Sequence, residues 1–163
     1  MPNHEVLATV KASPARRGFA VAVLASLGAL LLYIDLTNPP AILGWQVFLF
    51  VVGAFVLWGA FVVSRATQET IELTTEGLRE SNGRLICRME DIKDINRGVF
   101  AMKPSNGFMI HVRSSERWTW APGLWWRFAG RVGVGGVTAA NQAKGMSEII
   151  ATILAQREED NTV

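Results

Sequence analysis

Residues 18–34 and 41–63 carry no Asp, Glu, Lys or Arg, and only residues 35–40 lie between them. At 1.5 Å of rise per residue, stretches of roughly 17 and 23 residues reach the length that an α-helix needs to cross about 30 Å of hydrocarbon. No water is available there to satisfy a backbone amide, so each stretch has to bond its own N–H and C=O groups, as a helix does. The expectation is a membrane α-hairpin over residues 18–64, with spans at 18–36 and 41–63 and a preceding tail over residues 1–17. Pro39 and Pro40 suit the turn, because Pro fixes φ and biases the residue before it away from helix.

Lys11, Arg16 and Arg17 precede the first span, Arg65 follows the second, and residues 35–40 contain no Lys or Arg. Positive residues flank the cytoplasmic ends of short-looped membrane proteins, so both termini are expected in the cytoplasm, with the spans in a bacterial inner membrane. Tyr33 and Trp45 would then mark the outer interface, and Trp58 would approach the inner one. Arg16-Arg17-Gly18-Phe19 partly resembles a twin-arginine export signal, but no A-x-A cleavage site follows the apolar run and a second span begins almost at once. An uncleaved hairpin is the reading adopted.

Gly18, Ala22 and Ser26 recur every fourth residue, and Ala25 and Ala29 widen the same small-residue face. Such a face lets two helices approach closely in lipid. It is read first as the seam between the two spans, and second as a contact for another membrane subunit. Gln46 lies one turn from the outer end, within reach of headgroups, and shares the membrane with no ionisable partner, so it does not mark a conduction path.

From Arg65 onward the chain alternates, gains charge and is punctuated by Gly, with length enough for one compact domain. The chain holds 16 Lys and Arg against 14 Asp and Glu, and Lys11, Arg16 and Arg17 precede the first span, so this domain is nearly balanced in charge. That argues against nucleic-acid binding. Period-two alternation predicts strands at residues 70–74, 84–89, 92–102, 108–112 and 117–120, with a Ser81-Asn-Gly83 turn of hairpin type and a break around Arg97-Gly98. Met146, Ile149, Ile150, Ile153 and Leu154 instead follow the spacing of one helix face, with Thr138 placed to cap the helix and Arg157 in its last turn. A helix after a run of strands closes the open end of a barrel with its apolar face.

This layout, with the phrases Ile71-Glu-Leu-Thr-Thr-Glu-Gly-Leu78, Asp91-Ile-Lys-Asp-Ile95 and Met146-Ser-Glu-Ile-Ile150, resembles the bacterial membrane-anchored pleckstrin-homology-like proteins. The resemblance covers residues 65–156 plus the anchor and lies in the layout more than in single motifs. It implies an α+β domain over residues 65–157: a PH-like antiparallel β-sandwich or barrel of about seven strands closed by the C-terminal helix, followed by an acidic tail at 158–163. It further implies a scaffold or recognition module without catalysis. Some eukaryotic members bind phosphoinositide heads through a basic loop, and residues 74–84 hold no Lys/Arg-rich loop, so that property is not carried over.

Four of the six tryptophans fall in residues 118–126, beside Arg127 and Arg131. Trp and Arg are enriched at binding hot spots, so Trp125, Trp126, Arg127, Phe128 and Arg131 form the candidate interaction surface. The competing reading puts Trp118 and Trp120 in the core by alternation. Gly130-Arg-Val-Gly-Val-Gly-Gly136 fails as a nucleotide fingerprint, because Thr138 stands where the third Gly belongs and no βαβ unit surrounds it. His4 and His111 lie far apart with no ligand-spaced Cys or carboxylate, and Glu90 and Asp91 would point to opposite faces of a strand. Cys87 reads as a small buried hydrophobe. No catalytic, cofactor or metal site is expected. The leading functional expectation is a non-enzymatic adapter that binds or helps assemble a membrane protein complex, with the lipid bilayer and another membrane protein as partners. The alternative is a component of an enzyme or transporter with an unrecognised small-molecule or lipid-binding pocket.

Overall fold

A computed structural model describes residues 5–96, 104–113 and 117–160 of the chain. It separates into two compact units, Pro14–Arg65 and the combination of Met1–Ser13 with Ala66–Val163. The first unit is a helical hairpin of α1 (Pro14–Thr37) and α2 (Leu43–Ala66), each of 24 residues. Both helices overrun the uncharged stretches by about a turn at their basic ends, and Pro14 fits the first turn because its missing N–H would have had no intrahelical partner. Both are long and apolar enough to cross a membrane. Only 11% of each apolar window is buried, whereas the core helix of a soluble protein would be mostly buried.

The seam of the hairpin runs through Gly28 and Gly53. A Cβ built on Gly28 would lie 2.7 Å from Leu57 Cγ and 3.1 Å from the Gly53 carbonyl oxygen, and one built on Gly53 would lie 2.8 Å from Leu32 Cδ2. Backbones this close leave room for hydrogen alone on each glycine. The stripe expected at this seam is elsewhere: Gly18, Ala22, Ser26 and Ala29 are exposed, and only Ala25 is half-buried. The helical phase explains the difference, since Gly28 stands on the face shared with Ala25 and Leu32, while Gly18, Ala22 and Ser26 lie one residue out of phase with it.

The second unit is built from two antiparallel sheets and a helix. β1 (Val6–Lys11), β2 (Thr70–Thr74), β3 (Gly77–Glu80) and β4 (Leu85–Arg88) form the first sheet in the order β1-β2-β3-β4. β5 (Ile92–Asn96), β6 (Phe108–Val112), β7 (Thr119–Ala121), β8 (Trp125–Phe128) and β9 (Arg131–Val134) form the second, in the order β5-β6-β9-β8-β7. Of the expected sandwich or barrel of about seven strands, the described residues show two antiparallel sheets, with nine strands in all and not closed into a barrel; the ladders leave β1, β4, β5 and β7 as edges. Of the strand predicted over residues 92–102, the described part is β5, Ile92–Asn96, and residues 97–103, with the expected break around Arg97-Gly98, lie outside the described residues.

The segment read as an N-terminal tail is strand β1, paired antiparallel with β2 from Val6↔Thr74 to Lys11↔Thr70. Val10 faces Ile71 in that register and both are fully buried. The same strand holds the start of α3 (Ala140–Asp160): Lys11 N–H donates to Gln142 Oε1 at 2.9 Å, Ala139 N–H to the Lys11 carbonyl at 3.0 Å, and Ser13 N–H to the Val137 carbonyl at 2.7 Å. The first helical bond runs from Ala143 N–H to the Ala139 carbonyl, which puts Ala139 at the cap position, and the Thr138 hydroxyl donates to the Asn106 carbonyl. α3 takes in Glu158, Glu159 and Asp160, the residues expected in an acidic tail, and its Arg157 donates to the Met89 carbonyl at 2.9 Å.

One core joins the two sheets and the helix. Ile71, Leu73, Leu78 and Ile86 contribute from the first sheet, Ile92, Phe108, Ile110, Trp125 and Val132 from the second, and Ala143, Met146 and Ile150 from α3. Cys87 belongs to the same core. Two substitutions test the arrangement by thermal melting. Ile150→Asp places an unpaired carboxylate at a fully buried position, and Val10→Asp does so on the strand that precedes the hairpin; each is expected to destabilise the β unit by roughly 3 kcal/mol or more. Wild-type melting of Val10→Asp would show that β1 is not part of the folded unit.

Candidate functional site

β8 divides the candidate surface in two, because alternate residues of a strand face opposite sides of its sheet. Trp125 and Arg127 point inward. Trp125 is buried, and its Nε1–H donates to Glu80 Oε1 at 2.6 Å. Glu80 reaches that place by register: β2 and β3 pair Ile71 with Glu80, so the carboxylate stands on the core face beside a fully buried Ile. Its other oxygen accepts from Asn82 Nδ2 at 3.0 Å and lies 4.0 Å from Arg84 Nη1, while the Arg84 guanidinium sits 5.3 Å from the Trp125 ring centroid. Arg127 donates from Nη1 to the Ile86 carbonyl at 2.6 Å. The inner face of β8 therefore bridges to β3 and β4 of the other sheet, and Trp125 and Arg127 serve the fold.

The outer face is aromatic. Cross-strand pairs Trp120↔Trp126, Trp126↔Gly133 and Phe128↔Arg131 put Trp120, Trp126, Phe128 and Arg131 on one side of the β7-β8-β9 edge, and Trp118 shares the parity of Trp120. Gly133 has a structural reason to lack a side chain: a Cβ there would collide with the Trp126 indole lying over it. Trp126 is half-buried by that contact, whereas Trp118, Trp120 and Phe128 are 68%, 57% and 59% exposed. Three aromatic rings exposed to this degree present roughly 400 Å² of apolar surface. A patch of that size is at the scale of the largest on a monomer, where function is common. Trp118 and Trp120 thus stand outside the core, opposite to the alternation reading, because β7 is an edge strand whose other face is already filled by Ala121. Beyond Arg131 the same face continues to His111, whose Nδ1 lies 3.8 Å from Asp94 on the far edge.

The helical hairpin carries two further features. The exposed small residues Gly18, Ala22, Ser26 and Ala29 form a stripe that the Gly28–Gly53 seam leaves uncovered, and nothing approaches within 4 Å of a Cβ built on Gly18. Asp35, expected in the turn, instead occupies the last helical positions of α1, where it is 2% exposed and its Oδ1 has no hydrogen-bond partner.

Among the described residues no group of three or more His, Cys, Asp or Glu could hold a metal ion. A groove beside the start of β6 and α3 is lined by Asn106, Lys144, Ser147 and Glu148, with Lys144 and Glu148 paired at 3.9 Å on the helix surface. It is open, and the Ser147 hydroxyl in its lining donates to the Lys144 carbonyl at 2.7 Å. No family model, curated protein or solved structure matches this chain.

The two sides of β8 separate experimentally. Trp125→Phe keeps most of the ring but leaves Glu80 Oε1 without its indole donor, so it is expected to lower stability by about 1–3 kcal/mol. Trp118→Ser with Trp120→Ser alters exposed positions and is expected to shift stability by only about 0.5 kcal/mol per site. Chemical denaturation of the two variants measures the contrast, and equal losses would refute the inner and outer assignment.

Proposed function

We propose that the chain is a bacterial inner-membrane adapter: a helical hairpin spans the bilayer, and a PH-like β domain with no catalytic role is carried at its ends. The observation that carries this reading is the small-residue stripe of α1, exposed along Gly18, Ala22, Ser26 and Ala29 while the hairpin closes through Gly28 and Gly53. Small side chains allow a helix of another protein to approach closely in lipid, where packing has to replace the hydrophobic effect. The occupant proposed for the stripe is a membrane-spanning helix of a partner protein. The resemblance to PH-like proteins gains support from the antiparallel sheets and the C-terminal helix packed on β1, β5 and β6.

Orientation follows from connectivity and charge. β1 precedes the hairpin and β2 follows it, and the two are adjacent strands of one sheet, which supports a topology in which both ends of the hairpin emerge on one side of the bilayer. The basic residues Lys11, Arg16, Arg17 and Arg65 at those ends support the cytoplasm as that side.

Two measurements test this function. In a Cys87→Ala background, Asn38→Cys is expected to react with an impermeant thiol reagent added to the periplasmic side, and Glu159→Cys only after the membrane is permeabilised; the reverse pattern overturns the orientation. Full-length protein extracted in mild detergent is expected to bring down a membrane protein in stoichiometric amount. Ala22→Leu with Ser26→Leu should reduce that recovery about tenfold, which corresponds to about 1.4 kcal/mol of lost packing, with melting unchanged. Recovery that ignores the added bulk would remove the stripe from the function.

A further inference from the structure

We propose that the outer face of the β7-β8-β9 edge seats on the anionic surface of a lipid bilayer. This rests on the reading that α1 and α2 span that bilayer, and it concerns a different surface from the helical stripe.

Composition and placement both point to lipid. Residues 117–134 contain Arg117, Arg127 and Arg131 and no Asp or Glu. Arg127 is held inward on the Ile86 carbonyl, while Arg131 is exposed on the outer face with Trp120 and Phe128, and Arg117 is exposed next to Trp118 just ahead of β7. Indole and phenyl rings beside guanidinium groups match the interface of a membrane. Amphipathic rings settle at headgroup level, and the cations meet anionic headgroups there. The only carboxylate the described part of this face presents is Asp94, on the opposite edge strand and facing His111. On the reading that α1 and α2 span a bilayer, the links to this unit are short: two residues, Ala12 and Ser13, connect β1 to α1, and residues 67–69 connect α2 to β2.

The face also suits a planar partner. Trp120 and Trp126 are direct cross-strand neighbours and Phe128 follows on the same side of β8, so the rings form a contiguous row rather than the wall of a pocket. Nothing in this arrangement builds a closed site for a single headgroup. The chemistry recognised is an anionic interface, read through charge and aromatic partitioning.

The test uses the full-length protein in vesicles, with Trp45→Phe and Trp58→Phe removing emission from the spans. Lipids brominated on the acyl chain near the headgroup report ring depth by quenching. In vesicles of phosphatidylcholine with phosphatidylglycerol, strong quenching is expected, falling in phosphatidylcholine alone. Each cation near an anionic surface shifts the seated state about fivefold, so Arg131→Glu should weaken seating by at least about fivefold and reduce the dependence on phosphatidylglycerol. Protein that fails to float with vesicles would refute the membrane reading itself. Protein that floats but shows no quenching in either lipid, or quenching indifferent to phosphatidylglycerol, would refute the seating alone. Shielding of the indoles from acrylamide that requires a bound protein partner would place a protein on this face and overturn the proposal.

Discussion

The antiparallel pairing of β1 with β2 is the contact on which the rest of this structure depends. It joins a strand that comes before the helical hairpin to one that comes after it, so 58 residues separate the paired Ala12-side end Lys11 from its neighbour's first residue Thr70 only in sequence. Once the pair forms, the hairpin becomes a closed excursion from one folded unit. The loop-closure entropy of so long an excursion grows only slowly with length, and a hairpin that is itself folded reduces it further. β1 contributes a second service through its other side, since Lys11 and Ser13 hold the backbone just ahead of α3 and thereby fix where that helix begins.

The second organising element is the inward side of β8. A buried carboxylate is costly unless each oxygen finds a donor, and Glu80 finds the Trp125 indole on one and the Asn82 amide on the other. Because Glu80 belongs to the first sheet and Trp125 to the second, satisfying the carboxylate also sets how the sheets face each other. Arg127 repeats the device one step along the strand through the Ile86 carbonyl. With both inward side chains committed to the other sheet, the outward residues of β8 are free of any role in the core, which is why a strand so rich in aromatic residues can present Phe128 and part of Trp126 outside.

Much of this was legible from residue patterns. The absence of charge over residues 18–34 and 41–63 marked the two long helices, and period-two alternation placed β2, β4 and β6 within a residue or so. The apolar spacing of Met146, Ile149, Ile150, Ile153 and Leu154 marked α3. β1 escaped because Val6-Leu-Ala-Thr-Val-Lys11 lies ahead of a basic cluster and a span, where local sequence resembles a tail; what makes it a strand is a partner 59 to 68 positions away in the chain. Glu80 was within reach: it shares the parity of Leu78 across β3, so the alternation that buried Leu78 also turned Glu80 inward. Periodicity left sandwich and barrel undivided, and the sheets are not closed into a barrel because whether edge strands meet depends on twist and register between sheets.

The Trp-rich segment shows how little composition alone says about a surface. Density of Trp and Arg singled out residues 125–131 as a block, yet a strand has two faces and the block had to be shared between them. The split is decided by what lies opposite each position: Glu80 and Ile86 await Trp125 and Arg127, and Gly133 makes room for the flat approach of Trp126. The same logic governs the hairpin, where two glycines that no four-residue repeat emphasised, Gly28 and Gly53, take the close contact, and the more conspicuous repeat of Gly18, Ala22 and Ser26 is left outside. In both units a bulky side chain lies over a bare glycine, Trp126 over Gly133 and Leu57 over Gly28. Internal packing is thus completed by inconspicuous residues, and it is this completeness that leaves the conspicuous ones available for contact with something outside the chain.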